Sequence, residues 1–234
     1  MKRRPEPELM AREDQAFAYA AADFTESNTL FMQLLSTHWP DPPTKQTAFQ
    51  ALDIGCGPAD LVARLLTAYP QAHCDALDGA SAMLDQARQR LARSPGVAAR
   101  TRLFELTLPL PVDHQTVGLQ PSYRLILSNS LLHHLHQPEV LWHTVQQVAA
   151  DQAFVLMMDL MRPPTPTWAE ALVRTYAKDD PAVLQEDFRN SLYAAFEPDE
   201  VQAQLVQQGL ADQLSVAVVS DRHLAVWGTV HHGT

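Results

Sequence analysis

Residues 52–60 read Leu52-Asp53-Ile54-Gly55-Cys56-Gly57-Pro58-Ala59-Asp60, and this nonapeptide decides how the rest of the chain is parsed. A short apolar run from Phe49 to Ile54 leads into it, and Asp60 to Tyr69 leaves it at helical spacing, stopping at Pro70. The order is strand, glycine turn, helix. Glycines at such a turn permit a tight bend and let a ligand approach bare backbone, while the helix start offers unpaired N–H groups. A nucleoside-bearing cofactor is the ligand class this arrangement serves. A dinucleotide fingerprint asks for a third glycine where Asp60 stands, and a carboxylate there repels a pyrophosphate. That counts against NAD and FAD.

The alternation repeats along the chain. His73 to Leu77 reads as a strand and Ser81 to Arg93 as a helix closed by Ser94, Pro95 and Gly96. Arg102 to Leu106 and Leu125 to Ser128 follow as strands, then a helix over Pro138 to Ala150 and a strand over Phe154 to Met158. Strands separated by helices predict right-handed crossovers and a parallel sheet covered on both faces. Val201 to Gln208 is a helix closed by Gly209. Leu214 to Val219 and Leu224 to Val230 are strands whose connection, Ser220 to His223, is too short for a crossover, so they form an antiparallel hairpin. The fold class is therefore α/β, a Rossmann-like, mainly parallel sheet of seven strands with a terminal antiparallel hairpin and a helical lid.

The lid comes from two places. Residues 9–38 read as helical up to the breaker run Pro40, Pro42 and Pro43, and Arg162 to Glu197 holds prolines near its start and then two helix-like stretches. We take residues 1–47 as an N-terminal helical lid, and 48–234 as the core with a helical insertion at about 162–197. No repeat of 20 to 50 residues and no low-complexity stretch argues for another architecture.

At 234 residues the chain suffices for one core, and its formal net charge of -10 repels phosphate backbones and acidic lipid surfaces. Nucleic acid is a poor partner on that ground. Two cysteines make no disulfide framework, residues 1–10 lack the apolar stretch of a signal peptide, and the apolar block Phe154 to Met161 falls far short of the ~20 residues that span a bilayer. A soluble, cytoplasmic protein without a membrane partner is expected.

The nonapeptide resembles motif I of the class I S-adenosylmethionine-dependent methyltransferases, an acidic residue, any residue, then Gly-x-Gly-x-Gly, with Ala59 in place of the last glycine. A ligand without phosphate tolerates the nearby acid, and a sulfonium bearing an ammonium group welcomes one. The resemblance implies S-adenosylmethionine as cofactor, with Asp53, Gly55, Cys56 and Gly57 around its methionine part. Asp78 ends the second strand about 20 residues on, where a carboxylate can accept both ribose hydroxyls, or else cap the next helix. Gly79 and Met83 follow as adenine neighbours. Thr107 stands where the family often has an Asp near the adenine amino group; it is equally readable as a turn residue. After the fourth strand comes Ser128-Asn129-Ser130-Leu131-Leu132-His133-His134-Leu135-His136, the loop that in this family lies beside the reacting methyl, with Asn129 as a further cofactor contact.

Three imidazoles in four residues raise the question of a metal. Adjacent His133 and His134 cannot both face one ion if they begin a helix, and no carboxylate or Cys nearby completes a ligand set, so no metal is expected. His133 and His134 remain candidate general bases, or structural residues, as does His223 in the hairpin turn. That turn lies on the active edge if the sixth strand is parallel to the others, and Arg222 there can fork onto an anionic substrate group. Asp159 and Arg162 leave the fifth strand at the same edge, either as substrate contacts or as a pair steadying the loop. Substrate recognition is expected from residues 18–24 of the first lid segment and from Asp187-Phe188-Arg189-Asn190-Ser191 of the second, with Tyr19, Phe24, Asn190 and Tyr193 as candidate substrate contacts. The absence of Asn-Pro-Pro-Tyr after the fourth strand removes the usual signature for methylating nucleic-acid bases. A roofed pocket favours a small-molecule acceptor, with its O, N, C or S atom left open. A non-methylating enzyme that uses S-adenosylmethionine, a non-catalytic cofactor-binding subunit and, more remotely, a nicotinamide enzyme are the alternatives.

Overall fold

The computed structural model describes residues 1–6 and 12–231. Two helices, α1 (Glu13–Ala21) and α2 (Thr25–His38), precede the first strand. Five strand-led units follow: β1 (Gln50–Ile54), α3 (Asp60–Ala68), β2 (His73–Asp78), α4 (Ser81–Leu91), the one-turn α5 (Pro95–Ala98), β3 (Thr101–Glu105), β4 (Tyr123–Asn129), α6 (Glu139–Val148) and β5 (Ala149–Leu160). Then come α7 (Pro166–Tyr176), α8 (Ala182–Ala194), α9 (Pro198–Gln207), β6 (Leu214–Val218) and β7 (His223–Val230).

The strands form one sheet in the order β3-β2-β1-β4-β5-β7-β6. The first five run parallel, and β7 is antiparallel to both β5 and β6, so β6 points the same way as the parallel set. The hairpin turn at 219–222 therefore lies at the carboxyl edge of the sheet, beside the ends of β1, β4 and β5. In a sheet of this kind that edge is where ligands bind.

Alternation along the central strands explains their two-sided burial. Leu52 and Ile54 of β1 join Ile126, Val155 and Met157 in one core with Trp142 of α6, whereas Ala51 joins Leu125, Leu127, Leu156 and Met158 in the other with Leu65 of α3. A period of two with apolar residues at both phases can only be buried by helices on both faces. One polar group in this interior is fully served: the buried Asp75 of β2 accepts from the Tyr123 hydroxyl at 2.6 Å and from the Arg102 Nε at 2.7 Å.

The helix expected over residues 9–38 is two helices broken at Ala22 to Phe24, where Asp23 accepts from the Thr25 N–H and fixes the bend; residues 9–11 of that expectation lie outside the described ones. Nor is α2 wholly a lid. Its Phe31 and Leu35 sit in the core, and Trp39 just beyond stacks on Phe154 of β5, while its first turn reaches the active edge. The helix expected to run to Ala150 stops at Val148, and β5 begins at Ala149, because the β-rich run of the strand extends further than its apolar block suggests. Both helix-like stretches of the insertion form, and α9 starts at Pro198 with a capping box between Glu197 and Glu200.

Candidate active site

Asp53, next to last in β1, has its side chain buried, and after Ile54 the chain turns through Gly55 at φ +74°, Gly57 at φ +51° and Ala59 at φ +62°. Gly55 has no alternative. A Cβ there would stand 2.9 Å from Leu131 Cδ1 and 3.1 Å from Leu131 Cβ, in a backbone conformation that L-residues avoid. Ala59, where the resembled motif has glycine, holds the left-handed conformation with a side chain packed in the core; its methyl is tolerated at a cost of about 1–2 kcal/mol. The turn is tied to the next strand twice: the Gly55 and Cys56 N–H groups donate to the Leu77 carbonyl, and Asp78 accepts from the Gly57 N–H at 2.9 Å and the Ala80 N–H at 2.8 Å.

Above this turn a cavity of about 470 Å³ opens. Asp53, Gly55, Cys56 and Gly57 line it from β1, Asp78, Gly79 and Met83 from β2 and α4, and Thr107 and Asn129 from beyond β3 and the end of β4. The structure thus brings the nine residues assigned to the cofactor around one space. His133, His134 and His223 stand on the same wall, and Tyr19, Phe24 and Arg222 close it from the lid and the hairpin. Four candidate substrate contacts lie elsewhere, each for a definable reason. Asp159 is buried behind the wall, where it accepts from the His133 N–H and bonds His133 Nδ1 and the Leu160 N–H. Arg162 is spent on Glu197 and Glu200, both at 2.9 Å, and on the Ala195 carbonyl. Asn190 points out from α8 to solvent, and Tyr193 packs under the Arg4 guanidinium. Helical spacing puts residues 187, 188 and 191 of α8 toward the cavity and leaves 190 and 193 on other faces.

The site's charge is lopsided. Asp53, Asp60 and Asp78 line its inner end and Asp23, Glu26, Asp180 and Asp187 its mouth, against Arg222 as the one Lys or Arg among the described lining residues. Even Arg222 is engaged. Its guanidinium stacks 3.4 Å over the Tyr176 ring and pairs with Glu26 and Asp221, so it ties α2, α7 and the hairpin together across the rim. Burial, helped by the neighbouring Asp78 charge, pushes Asp53 up to about 7. Burial raises Asp78 as well, against its two backbone hydrogen bonds. His223 is pulled down to about 4 by burial and by Arg222, so it is neutral at neutral pH. His133 goes the other way: burial opposes its charge, but Asp159 and Glu6 outweigh it and raise its pKa.

Such a space suits S-adenosylmethionine on the chain's own terms. Carboxylates without a phosphate-binding cation match a ligand carrying sulfonium and ammonium charges and repel a dinucleotide. The Asn129 Oδ1 is buried in the wall with no hydrogen-bond partner, a poised acceptor for a donor group.

One residue of the site was invisible in the sequence. Glu6 reaches the histidines from the N-terminal segment, its Oε1 3.5 Å from His133 Nε2 and 3.4 Å from His134 Nδ1, and it accepts from the Ser191 hydroxyl at 2.9 Å. Arg3 fastens that segment by donating to the carbonyls of Ala194, His133 and Leu135 and by lying 3.9 Å over the Phe196 ring. A contact spanning 127 positions leaves no local signal. The reason given for setting a metal aside, that no carboxylate stands near the two histidines, does not hold in three dimensions.

Comparison with known proteins agrees with this geometry. Residues 52–155 match a protein-family model described as a methyltransferase domain. No protein of curated function matches the chain in sequence. Among solved structures, the plantazolicin methyltransferase BpumL in complex with SAH shares 12% identity over 94% of this chain and 91% of its own, with a TM-score of 0.70. A SAM-dependent methyltransferase from Aquifex aeolicus shares 13% over 93% and 98%, with a TM-score of 0.62. An O-methyltransferase family protein from Burkholderia thailandensis shares 15% over 97% of this chain and 65% of its own, at 0.59. At such identities the structural likeness speaks for the fold.

Proposed function

We propose that this chain, a class I S-adenosylmethionine-dependent methyltransferase, methylates a small molecule held under the helices that roof the carboxyl edge of its sheet. The observation that carries the acceptor class is the helical roof over part of the cavity. The cavity is partly roofed by α1, α2, α7 and α8 around Tyr19, Phe24, Tyr176 and Phe188, a volume suited to a cofactor and a small acceptor rather than a folded polymer. The net charge of -10 and the acidic mouth oppose nucleic acid in the same role.

The bound cofactor supplies an electrophilic methyl on a sulfonium, so what remains for the protein is alignment, exclusion of water and handling of one proton. In this reading Asp78 receives the ribose hydroxyls with the lone pairs left free by Gly57 and Ala80. The Gly55–Gly57 turn admits the methionine part, and Asp53 and Asn129 face its charged and donor groups. Asp53 ionises more readily once a cation lies against it, which couples cofactor binding to proton release. Tyr19 and Phe24, their ring centroids 4.6 Å apart, press on the acceptor side and keep water out. His223, neutral and steadied through Nδ1 by the Ser220 hydroxyl at 2.9 Å, is the group able to take the proton of an O–H or N–H nucleophile. The buried free thiols Cys56 and Cys74, both raised by burial, take no part as nucleophiles and accord with a reducing cytoplasm.

The test is direct. The purified chain is incubated with S-adenosylmethionine and fractionated small-molecule extract, and S-adenosylhomocysteine and methylated products are followed by mass spectrometry. Growth of the demethylated cofactor together with a small molecule heavier by one methylene supports the reading. Cofactor binding without product in any small-molecule fraction, but with product on added protein or RNA, would overturn the acceptor class.

A further inference from the structure

We infer that Glu6, His133 and His134 form a binding site for one divalent transition-metal ion of the zinc class, set in the wall of the acceptor cavity. The three donor atoms lie within 4.8 Å of one another. A tetrahedral ion with bonds of about 2.0–2.2 Å holds its ligand atoms about 3.3–3.6 Å apart. Glu6 Oε1 meets that spacing to both imidazoles, at 3.5 Å from His133 Nε2 and 3.4 Å from His134 Nδ1. The remaining separation, between the two imidazole nitrogens, is no more than 4.8 Å, and turning the His134 ring toward His133 by up to about 1 Å brings it to the tetrahedral spacing.

The surroundings are those of a ligand set held in place. Asp159 bonds His133 through Nδ1, which fixes the ring and leaves Nε2 as the outward lone pair, the carboxylate–imidazole arrangement that orients metal ligands. The Asp159 carboxylate is itself fixed by the His133 and Leu160 N–H groups. Ser191 holds the Glu6 oxygen, and Arg3 holds the segment that delivers it. Residues 132–134 form a 3-10 turn rather than the start of an α-helix, and the two imidazoles stand side by side at 4.2 Å between centroids, which is how adjacent residues come to share one target. Two imidazoles and one carboxylate suit zinc, cobalt or iron better than magnesium or calcium.

With three protein ligands the ion keeps a position open toward the cavity that His133 and His134 line. Resting on the methyltransferase reading, this position would take an oxygen of the acceptor and ease loss of its proton, so the preferred nucleophile is an acceptor hydroxyl.

The test uses the full chain, stripped with a chelator and titrated with zinc by calorimetry and with cobalt by visible absorption. One equivalent is expected to bind, with tetrahedral cobalt bands. Glu6→Gln and His134→Ala are each expected to weaken binding at least tenfold, and Asp159→Asn by about 10–100-fold. Thermal melts and S-adenosylhomocysteine affinity of every variant are read on the same samples. No stoichiometric binding by the folded wild-type chain would overturn the site. So would binding that both Glu6→Gln and His134→Ala leave unchanged, as capture by the consecutive histidines 231 and 232 would give. A wild-type chain that binds S-adenosylhomocysteine but no metal refutes the metal site alone, whereas a folded chain that ignores S-adenosylhomocysteine refutes the methyltransferase reading.

Discussion

Replacing Gly55 by alanine separates the steric demand of the turn from its conformational demand, because Gly57 two residues on provides the control. Both positions have positive φ, +74° and +51°, but a Cβ on Gly55 meets Leu131 at 2.9–3.1 Å and a Cβ on Gly57 meets nothing within 4 Å. The left-handed conformation costs an L-residue about 1–2 kcal/mol, partly offset by about 0.4–1 kcal/mol from the stiffer unfolded chain. Gly57→Ala is therefore expected to cost about 1 kcal/mol or less. Gly55→Ala adds overpacking of about 1–3 kcal/mol, since Leu131 can move its methyls aside but not its Cβ, for a total of about 2–4 kcal/mol. In a chain of this length each kcal/mol lowers Tm by about 2–4 °C, so the two variants should melt about 2–4 °C and about 5–15 °C below wild type. Thermal and urea unfolding of the two variants, with S-adenosylhomocysteine titrations alongside, make the comparison. Equal losses in Gly55→Ala and Gly57→Ala would refute the steric packing of the turn against the β4 loop.

Four further outcomes follow from the site. Asp78→Asn keeps the shape of the side chain but sets an amide N–H against the Gly57 N–H or a ribose hydroxyl; at about 1.5–3 kcal/mol for a hydrogen bond to a charged group, calorimetry should find cofactor affinity about 10–100-fold weaker. Asp53 has a folded pKa of about 7 against an ordinary value near 3.8, so below pH 4 it favours the native state fully and that contribution drains away as pH rises through 7. Asp53→Asn should then gain stability over wild type progressively between pH 4 and 7.5 in the absence of cofactor, and cofactor affinity of the wild type should fall from pH 7.5 to 5.5 as the carboxylate protonates. Arg162→Met should lower the melting temperature by several degrees through loss of its ties to Glu197, Glu200 and the Ala195 carbonyl, while leaving KM for S-adenosylmethionine within twofold. His223→Gln should lower kcat by about a hundredfold with little change in cofactor affinity, measured once an acceptor is in hand.

The strand-turn-helix at 49–69 was legible because three independent local signals coincide there, an apolar run, paired glycines and a helical period. The same holds for the order of the seven strands' segments and for the hairpin, whose four-residue turn allows no other pairing. What could not be read locally were contacts that depend on packing between distant segments. Which face of α8 meets the cavity is set by its neighbours, so of the residues expected there Asp187, Phe188 and Ser191 line it while Asn190 and Tyr193 turn to other faces. Arg162 and Asp159 emerge at the active edge as the fifth strand implied, yet Glu197, Glu200 and His133 claim them before any ligand can. The break in the N-terminal helix at Asp23 is a one-residue side-chain effect inside a helix-favouring composition. Glu6 had no signal at all, since only the folded chain brings position 6 to position 133.

The most direct measurement is calorimetric titration of the purified chain with S-adenosylmethionine, S-adenosylhomocysteine and NAD in parallel. One site that takes both adenosyl compounds, is weakened by Asp78→Asn and gives no heat with NAD is the expected result; a folded chain that binds neither adenosyl compound, or prefers the dinucleotide, would contradict the assignment of the cavity.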